Sequence, residues 1–340
     1  MNDKDVIIAI DALGGDRAPE EIVAGACAAA KSFGCRILLV GDEARVKPLL
    51  EREDNPLNVS TVHAPGVVAM DEAPTAAVRR GTETSMGKTV DLVREGLAHA
   101  AYSAGNSGAF LATAQIRLRT LPGIARPGFA TAWPAIRGPM LLVDAGANVD
   151  CKPEWLLQFA LMGTAYSRAV LGVADPKVGL LSVGEEETKG NALTFEAFPL
   201  LAAAPINFIG NVEGRDLLLG EADVVVCDGF VGNVALKTAE GTSEYIFTLL
   251  REAIQKSTRA KIGAALLRPQ FHAVRKRMDH REHGGAPVLG VRGICIVGHG
   301  RADAHTVHSA VRMALRAVRQ DLVGSIARML EPPASAQASS

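Results

Sequence analysis

Short apolar runs recur along the chain, and six of them end in clusters of Gly, Asn and Asp. Val6 to Ile10 leads into Asp11-Ala12-Leu13-Gly14-Gly15-Asp16, Ala100 to Ser103 into Gly105-Asn106-Ser107-Gly108, and Met140 to Val143 into Asp144-Ala145-Gly146-Ala147-Asn148. Val178 to Val183 leads into the stretch from Gly184 to Lys189-Gly190-Asn191, Ile206 to Ile209 into Gly210-Asn211, and Val224 to Cys227 into Asp228 through Gly232-Asn233. Continuous apolar runs suit buried parallel strands, which are covered on both faces. Between them the spacing is helical. Pro19-Glu20-Glu21 opens a first helix that Gly34 stops before a strand at Arg36 to Val40. Further helices are expected over Lys88 to His99, Pro153 to Val170, Leu193 to Ala203, Val234 to Gln255 and Ala304 to Leu330. The alternation predicts an α/β fold, with a mostly parallel sheet and helices on both faces. Ligands in open α/β sheets bind beyond the strand carboxyl ends, so all six clusters are expected on one sheet edge.

Composition narrows the classes without choosing among them. The 340 residues can bury a large core, as one domain over 1–330 followed by a Pro-, Ala- and Ser-rich tail over 331–340, expected to be disordered. A formal charge of −1 argues against nucleic acid as the principal partner. The five cysteines have no C-x-x-C spacing and mostly lie in apolar segments, which favours reduced core thiols in a cytoplasmic protein. Neither a signal h-region nor a transmembrane span is expected.

One segment departs from neutrality. Between Arg251 and Arg281 nine basic residues, among them Lys256, Arg259, Lys261, Arg268, Arg275, Lys276 and Arg277, face only Glu252 and Asp279 as acids. Ile262, Leu266, Leu267, Phe271 and Val274 are interleaved with them, and Pro269 interrupts the pattern. The expectation is a helical hairpin with one apolar stripe and one cationic face. Such a hairpin is either a solvated surface or a docking arm for an anionic protein or lipid surface.

Several motifs fail on inspection. Gly81-Thr82-Glu83-Thr84-Ser85-Met86-Gly87-Lys88-Thr89 has one residue too many between its glycines for a P-loop, and no buried strand precedes it. No G-x-G-x-x-G follows the first strand, and acids stand where a pyrophosphate would pass. His299, His305 and His308 lack a companion carboxylate pattern for a metal, and there is no G-x-S-x-G elbow. What remains is loops rich in amide donors plus Lys189, a chemistry suited to holding an anion. Lys189 follows three acids and precedes a helix; Asn233 is placed as a helix N-cap and Asp228 at a strand end. Capping or ion pairing would explain each of these singly.

The ordered motifs Asp11 to Asp16, Ser103 to Ala109, Asp144 to Asp150, Glu186 to Asn191, Gly210 to Asp216 and Asp228 to Asn233 resemble those of the bacterial phosphate acyltransferases, in order and over nearly the whole chain. That family makes acyl phosphate from acyl carrier protein thioesters for phospholipid synthesis. The resemblance implies a three-layer α/β/α sandwich, Rossmann-like, of the isocitrate/isopropylmalate dehydrogenase-like superfamily, with a protruding helical hairpin at about 243–283. Two departures stand out: Thr84-Ser85-Met86 replaces the expected Ser-Ser-Met, and His280 and His283 replace aromatic residues.

Activity and partners follow from the same resemblance. It implies a homodimer, cytoplasmic and peripherally membrane-associated, with no cofactor and no metal. Acyl carrier protein and inorganic phosphate would be its substrates, and a membrane glycerol-3-phosphate acyltransferase would consume its product. The expected catalytic residues are Lys189 and Asn233. Asp11, Gly14, Gly15, Asn106, Ser107, Gly108, Asp144, Asn148, Gly190, Asn191, Asn211 and Asp228 are expected around substrate or phosphate. Lys256, Arg259, Lys261, Leu266, Leu267, Arg268, Arg275, Lys276 and Arg277 are expected to dock the carrier protein or the membrane. A phosphate oxygen would attack the thioester carbonyl directly, with amide donors on the oxyanion. A transacetylase-like enzyme using acyl coenzyme A, or a noncatalytic lipid-surface protein, are the rival classes.

Overall fold

The computed structural model describes residues 2–278, 282 and 284–331, without the side chains of Arg275 and Lys276. The tail beyond Glu331 and the family positions Asp279, His280, Arg281 and His283 lie outside the described residues. The strands are β1 (Ile7–Asp11), β2 (Arg36–Gly41), β3 (Val59–His63), β4 (Ala100–Ser103), β5 (Gly128–Ala135), β6 (Gly138–Val143), β7 (Lys177–Leu181), β8 (Asn207–Val212), β9 (Val224–Val226), β10 (Ala286–Leu289) and β11 (Ile294–Val297). The helices are α1 (Glu20–Phe33), α2 (Glu43–Arg52), α3 (Pro74–Arg80), α4 (Ser85–Arg94), α5 (Ser107–Leu118), α6 (Pro153–Tyr166), α7 (Ala192–Ala202), α8 (Asp216–Leu219), α9 (Gly229–Gln255), α10 (Thr258–Leu266), α11 (Arg268–Arg277), α12 (Ala304–Arg319) and α13 (Leu322–Leu330).

Among the described residues the strands join one 11-stranded sheet in the order β3-β2-β1-β4-β11-β10-β5-β6-β9-β7-β8. Strand side chains alternate between its faces, as the pleat requires. Ile8, Ile10, Tyr102, Leu141, Val143, Val178, Val224 and Ile296 pack with α1, α6, α7 and α12. Ala101, Leu142, Val225 and Cys295 point the other way, into a second cluster with residues of α4, α5 and α9. Both faces are therefore dry, which is why these strands read as unbroken apolar runs.

The expectation of one crowded edge does not hold. β10 runs antiparallel to both β11 and β5, and β5 runs antiparallel to β6. Three reversals in succession invert the sheet's direction between its halves. The loops after β1, β4 and β11 open at one edge, and those after β6, β7, β8 and β9 at the other. Strands of about five residues separate the edges by about 17 Å. No single small ligand bridges that distance within one chain.

Local differences have equally simple causes. Gly210-Asn211 lies inside β8 rather than beyond it. Helix α9 begins at Gly229, five residues before the expected start, and its N-cap is Asp228 rather than Asn233. Gly229 and Gly232 suggested a loop, but they serve close packing. A Cβ on Gly229 would sit 2.7 Å from the Asn148 carbonyl oxygen, and one on Gly232 would collide with the Asp144 carbonyl. The single helix expected over Ala304 to Leu330 breaks at Gln320-Asp321, where Asp321 turns left-handed (φ 46°) and caps α13.

Candidate functional site

The edge formed by β6, β7 and β9 is organised by Asp144. Its fully buried carboxylate accepts hydrogen bonds from the backbone N–H groups of Phe129 (3.1 Å), Gly146 (3.1 Å), Ala147 (2.9 Å) and Asn148 (2.7 Å), and from Asn148 Nδ2 (2.8 Å). Burial pushes its pKa up, and these donors oppose the shift. Asn148 Nδ2 also donates to the Pro127 carbonyl (2.8 Å). The Asn148 carbonyl in turn accepts from Gly229 N–H (2.7 Å), tying the loop after β6 to the start of α9. Asp144 and Asn148 thus shape the loop with the groups expected to face phosphate.

The loop after β7 is fixed from behind. Asn211 Nδ2 donates to the Glu186 carbonyl (3.0 Å) and the Lys189 carbonyl (3.4 Å), and Ser182 Oγ donates to the Lys189 carbonyl (3.2 Å). Gly190 adopts φ 137°, and any Cβ there would collide with Thr194 Oγ1. Asn191 caps α7: its Oδ1 accepts from Thr194 N–H (3.0 Å), while Thr194 Oγ1 accepts from Asn191 N–H (2.9 Å). Asp228 caps α9 by accepting from Val231 N–H (2.9 Å).

Against this background Lys189 and Asn233 stand apart. Both are exposed, and among the described residues neither the Lys189 amine nor the Asn233 amide is engaged in a hydrogen bond or ion pair. The Asn191 Nδ2 group is likewise left over from its cap. A cavity of about 180 Å³ joins the two loops, with Gly190 and Asn191 on one wall and Asp228 and Val231 on the other. The N-termini of α7 and α9 both open onto it, so backbone N–H groups and helix dipoles favour an anion there.

The opposite edge is differently built. Asp11 is buried; its carboxylate accepts from Ser103 Oγ (2.6 Å) and Leu13 N–H (3.2 Å). Burial raises its pKa, opposed by the hydroxyls of Ser103 and Ser85. A Cβ on Gly14 would lie 2.5 Å from Asp11 Oδ2 and 2.8 Å from Ser103 Oγ, so glycine allows the loops to meet. Gly15 turns beside Ala104 and the Gly300 carbonyl with φ 109°. Asn106 caps α5 through Ala109 N–H (3.0 Å), and its Nδ2 donates to the carbonyls of Met70 (3.0 Å) and Glu72 (2.9 Å). Ser107 and Gly108 remain exposed at the start of α5. Gly81 to Thr89 does not form a phosphate loop: Thr84 caps α4 through Gly87 N–H (3.0 Å).

Helices α9, α10 and α11 carry the basic segment. Lys256, Arg259, Lys261, Leu266, Leu267 and Arg268 are exposed, as are Tyr245, Ile246, Leu249 and Leu250 on α9. Arg277 is engaged differently. Its guanidinium donates to the carbonyls of Ala135 (3.1 Å) and Ile136 (2.6 Å), fastening α11 to the β5–β6 turn. The side chains of Arg275 and Lys276 lie outside the described residues.

Sequence reasoning gave no site role to Ser103, Ser182, Leu193, Thr194 and Val231, although Ser103 and Val231 lie within the family motifs. Thr194 was legible as the partner in a capping box three residues after Asn191. The others had no local signal of such a role, because strand pairing and helix packing bring them to the site.

Comparison with known proteins agrees with this architecture. The family described as "Fatty acid synthesis protein" matches residues 6–324. A phosphate acyltransferase from Nostoc punctiforme is 50% identical over 329 residues, covering 96% of this chain and 97% of that protein. One from Pelotomaculum thermopropionicum is 49% identical over 324 residues, covering 95% of each. A phosphotransacetylase structure from Streptococcus pyogenes superposes with a TM-score of 0.63 at 17% identity, covering 94% of this chain and 95% of that one.

Proposed function

The chain belongs to the phosphate acyltransferase family, and from that premise we infer that it forms long-chain acyl phosphate from acyl carrier protein thioester and inorganic phosphate. The observation that carries the location is the opening of two helix N-termini, those of α7 and α9, onto one cavity, with the unengaged Lys189 one residue before the lining residue Gly190 and the unengaged Asn233 two residues after the lining residue Val231. Phosphate sits between the Lys189 amine and the backbone N–H groups that open α7 and α9. The Asn191 and Asn233 amides donate to the thioester carbonyl. A phosphate oxygen attacks the carbonyl carbon, its C–O bond forms, and the C–S bond breaks to release thiolate. Donors held in place before reaction stabilise the tetrahedral oxyanion with little reorganisation. Orientation supplies much of the remainder, since phosphate is a competent nucleophile and thiolate a good leaving group.

Asn211, Gly190, Asp144, Asn148 and Asp228 support this site by fixing its loops. We assign Asp11, Gly14, Gly15, Asn106, Ser107 and Gly108 to the second edge, where Ser107 and Gly108 are available to substrate. A homodimer would give the divided loops a route to one another, the edge of one copy facing that of its partner. Residues 1–330 are taken as one domain on the support of the single sheet. The isocitrate/isopropylmalate dehydrogenase-like superfamily is the assignment that the phosphotransacetylase likeness supports.

Helices α9 to α11 are read as the hairpin, its cations attracting an acidic carrier protein and its exposed apolar residues touching the bilayer where a membrane glycerol-3-phosphate acyltransferase consumes the product. Among the described residues no helix is long and apolar enough to cross a membrane. A peripheral, cytoplasmic location fits this reading.

Trapping the product with hydroxylamine tests the reaction. Palmitoyl carrier protein and palmitoyl coenzyme A are offered separately in phosphate buffer. Hydroxamate from the carrier protein alone is expected; product from both donors would assign the transacetylase-like class, and none from either would leave a binding protein.

A further inference from the structure

The cavity between the loops after β7 and β9 has a mixed lining, more apolar than an anion site needs. Ser182, Asn191, Thr194 and Asp228 are its polar lining, whereas Leu156, Leu181, Leu193 and Val231 line it with apolar side chains. Leu156 and Leu181 are buried, Leu193 is half-buried, and Val231 stands at the rim. Val183, which also lines the cavity, is 81% exposed, an apolar side chain left facing water at the entrance. Phe195 and Phe230 are exposed as well, each in the first turn of a helix that contributes to the wall. Phosphate at the two helix N-termini has no use for the apolar part of this lining. An amphiphile with a polar carbonyl end and a hydrocarbon body matches such a mixed lining.

We propose that this cavity receives the carbonyl-proximal part of the acyl chain, with Leu193 and Val231 as the residues that read it. The proposal rests on the acyl-transfer reading above and deepens it. The volume sets how much chain is read. An apolar cavity of about 150 Å³ accommodates a benzene-sized group, so about 180 Å³ holds roughly six carbons. Carbons beyond these leave the cavity across Val183 and reach the exposed apolar residues around it. Discrimination by chain length therefore ends early, after the first few methylenes.

The test is a chain-length series of acyl carrier proteins from two to sixteen carbons, with acyl phosphate trapped as hydroxamate. For the wild-type protein kcat/KM is expected to rise about three- to fourfold per methylene up to roughly six carbons, then level off, because each buried methylene contributes a fixed transfer term. Leu193→Trp fills the cavity from α7, and Val231→Trp fills it from the rim of α9, where the position is more exposed and folding is less at risk. In either variant the ratio of wild-type to variant kcat/KM is expected to grow with chain length between two and six carbons.

A ratio that is the same at every length, or a wild-type profile without the early rise, overturns the cavity assignment while leaving acyl transfer intact. Absence of hydroxamate from the wild-type protein with every donor overturns the acyl-transfer reading itself, and this proposal with it.

Discussion

Asn211 bears on the candidate site through the backbone of a neighbouring loop. Its amide holds the backbone of Glu186 and Lys189 from inside β8. Asn211→Ala is expected to lower kcat about 10- to 100-fold through displacement of Lys189, with the urea midpoint little changed; unaltered kcat would remove the tether from the account. Asp144 makes the complementary case. An amide in its place would turn an NH2 group toward N–H donors, so Asp144→Asn, though isosteric, is expected to cost about 2–4 kcal/mol in urea unfolding. A loss below about 0.5 kcal/mol would mean that the hydrogen bonds to this carboxylate contribute little. Cys151 lies at the end of the same loop, and burial together with the charge of Asp144 pushes its thiol up to about 12. At pH 8 the thiolate fraction is about one in 10⁴, so iodoacetamide labelling followed by mass spectrometry is expected to be slow and to climb through pH 11 without a plateau. A plateau near pH 9 would contradict this environment.

Among the elements, α9 differs most from its sequence pattern. Glycines at 229 and 232 suggested a loop, whereas close approach to Asn148 and Asp144 makes them part of the helix. Such a contact joins residues far apart in the chain, and no local window contains it. By contrast, α1 was readable from both ends, since Gly34 caps it in the left-handed conformation (φ 72°) that favours glycine. At its far end α9, 27 residues or about 40 Å long, presents Tyr245, Ile246, Leu249 and Leu250 to solvent and leads into the cations of α10 and α11. Arg277 is fastened to the β5–β6 turn, which leaves Lys256, Arg259, Lys261 and Arg268 as the better probes of docking. Their combined reversal to Glu is expected to raise KM for acyl carrier protein about tenfold or more at low salt and to flatten its salt dependence. An unchanged KM at low ionic strength would place carrier docking elsewhere.

At the scale of the molecule, the run of apolar strands and intervening helices was legible because buried parallel strands leave a strong mark. The direction of the sheet was not. β5, β10 and β11 are short or interrupted by Pro134 and Pro287, and the antiparallel pairings they make divide the six loops between two edges. The motifs of the candidate site were therefore visible one by one, but their grouping required the topology. Lys189 and Asn233 retain their prominence for a reason the sequence did not contain: the polar groups around them are engaged with their own loops.

The most direct test of that conclusion is acyl phosphate formation by Lys189→Ala, followed by hydroxylamine trapping with palmitoyl carrier protein and a titration of inorganic phosphate. A loss of about 100-fold or more in turnover, with a raised KM for phosphate and an unchanged urea midpoint, is the predicted result. Turnover and phosphate KM near those of the wild-type protein would contradict the placement of the reaction at this edge.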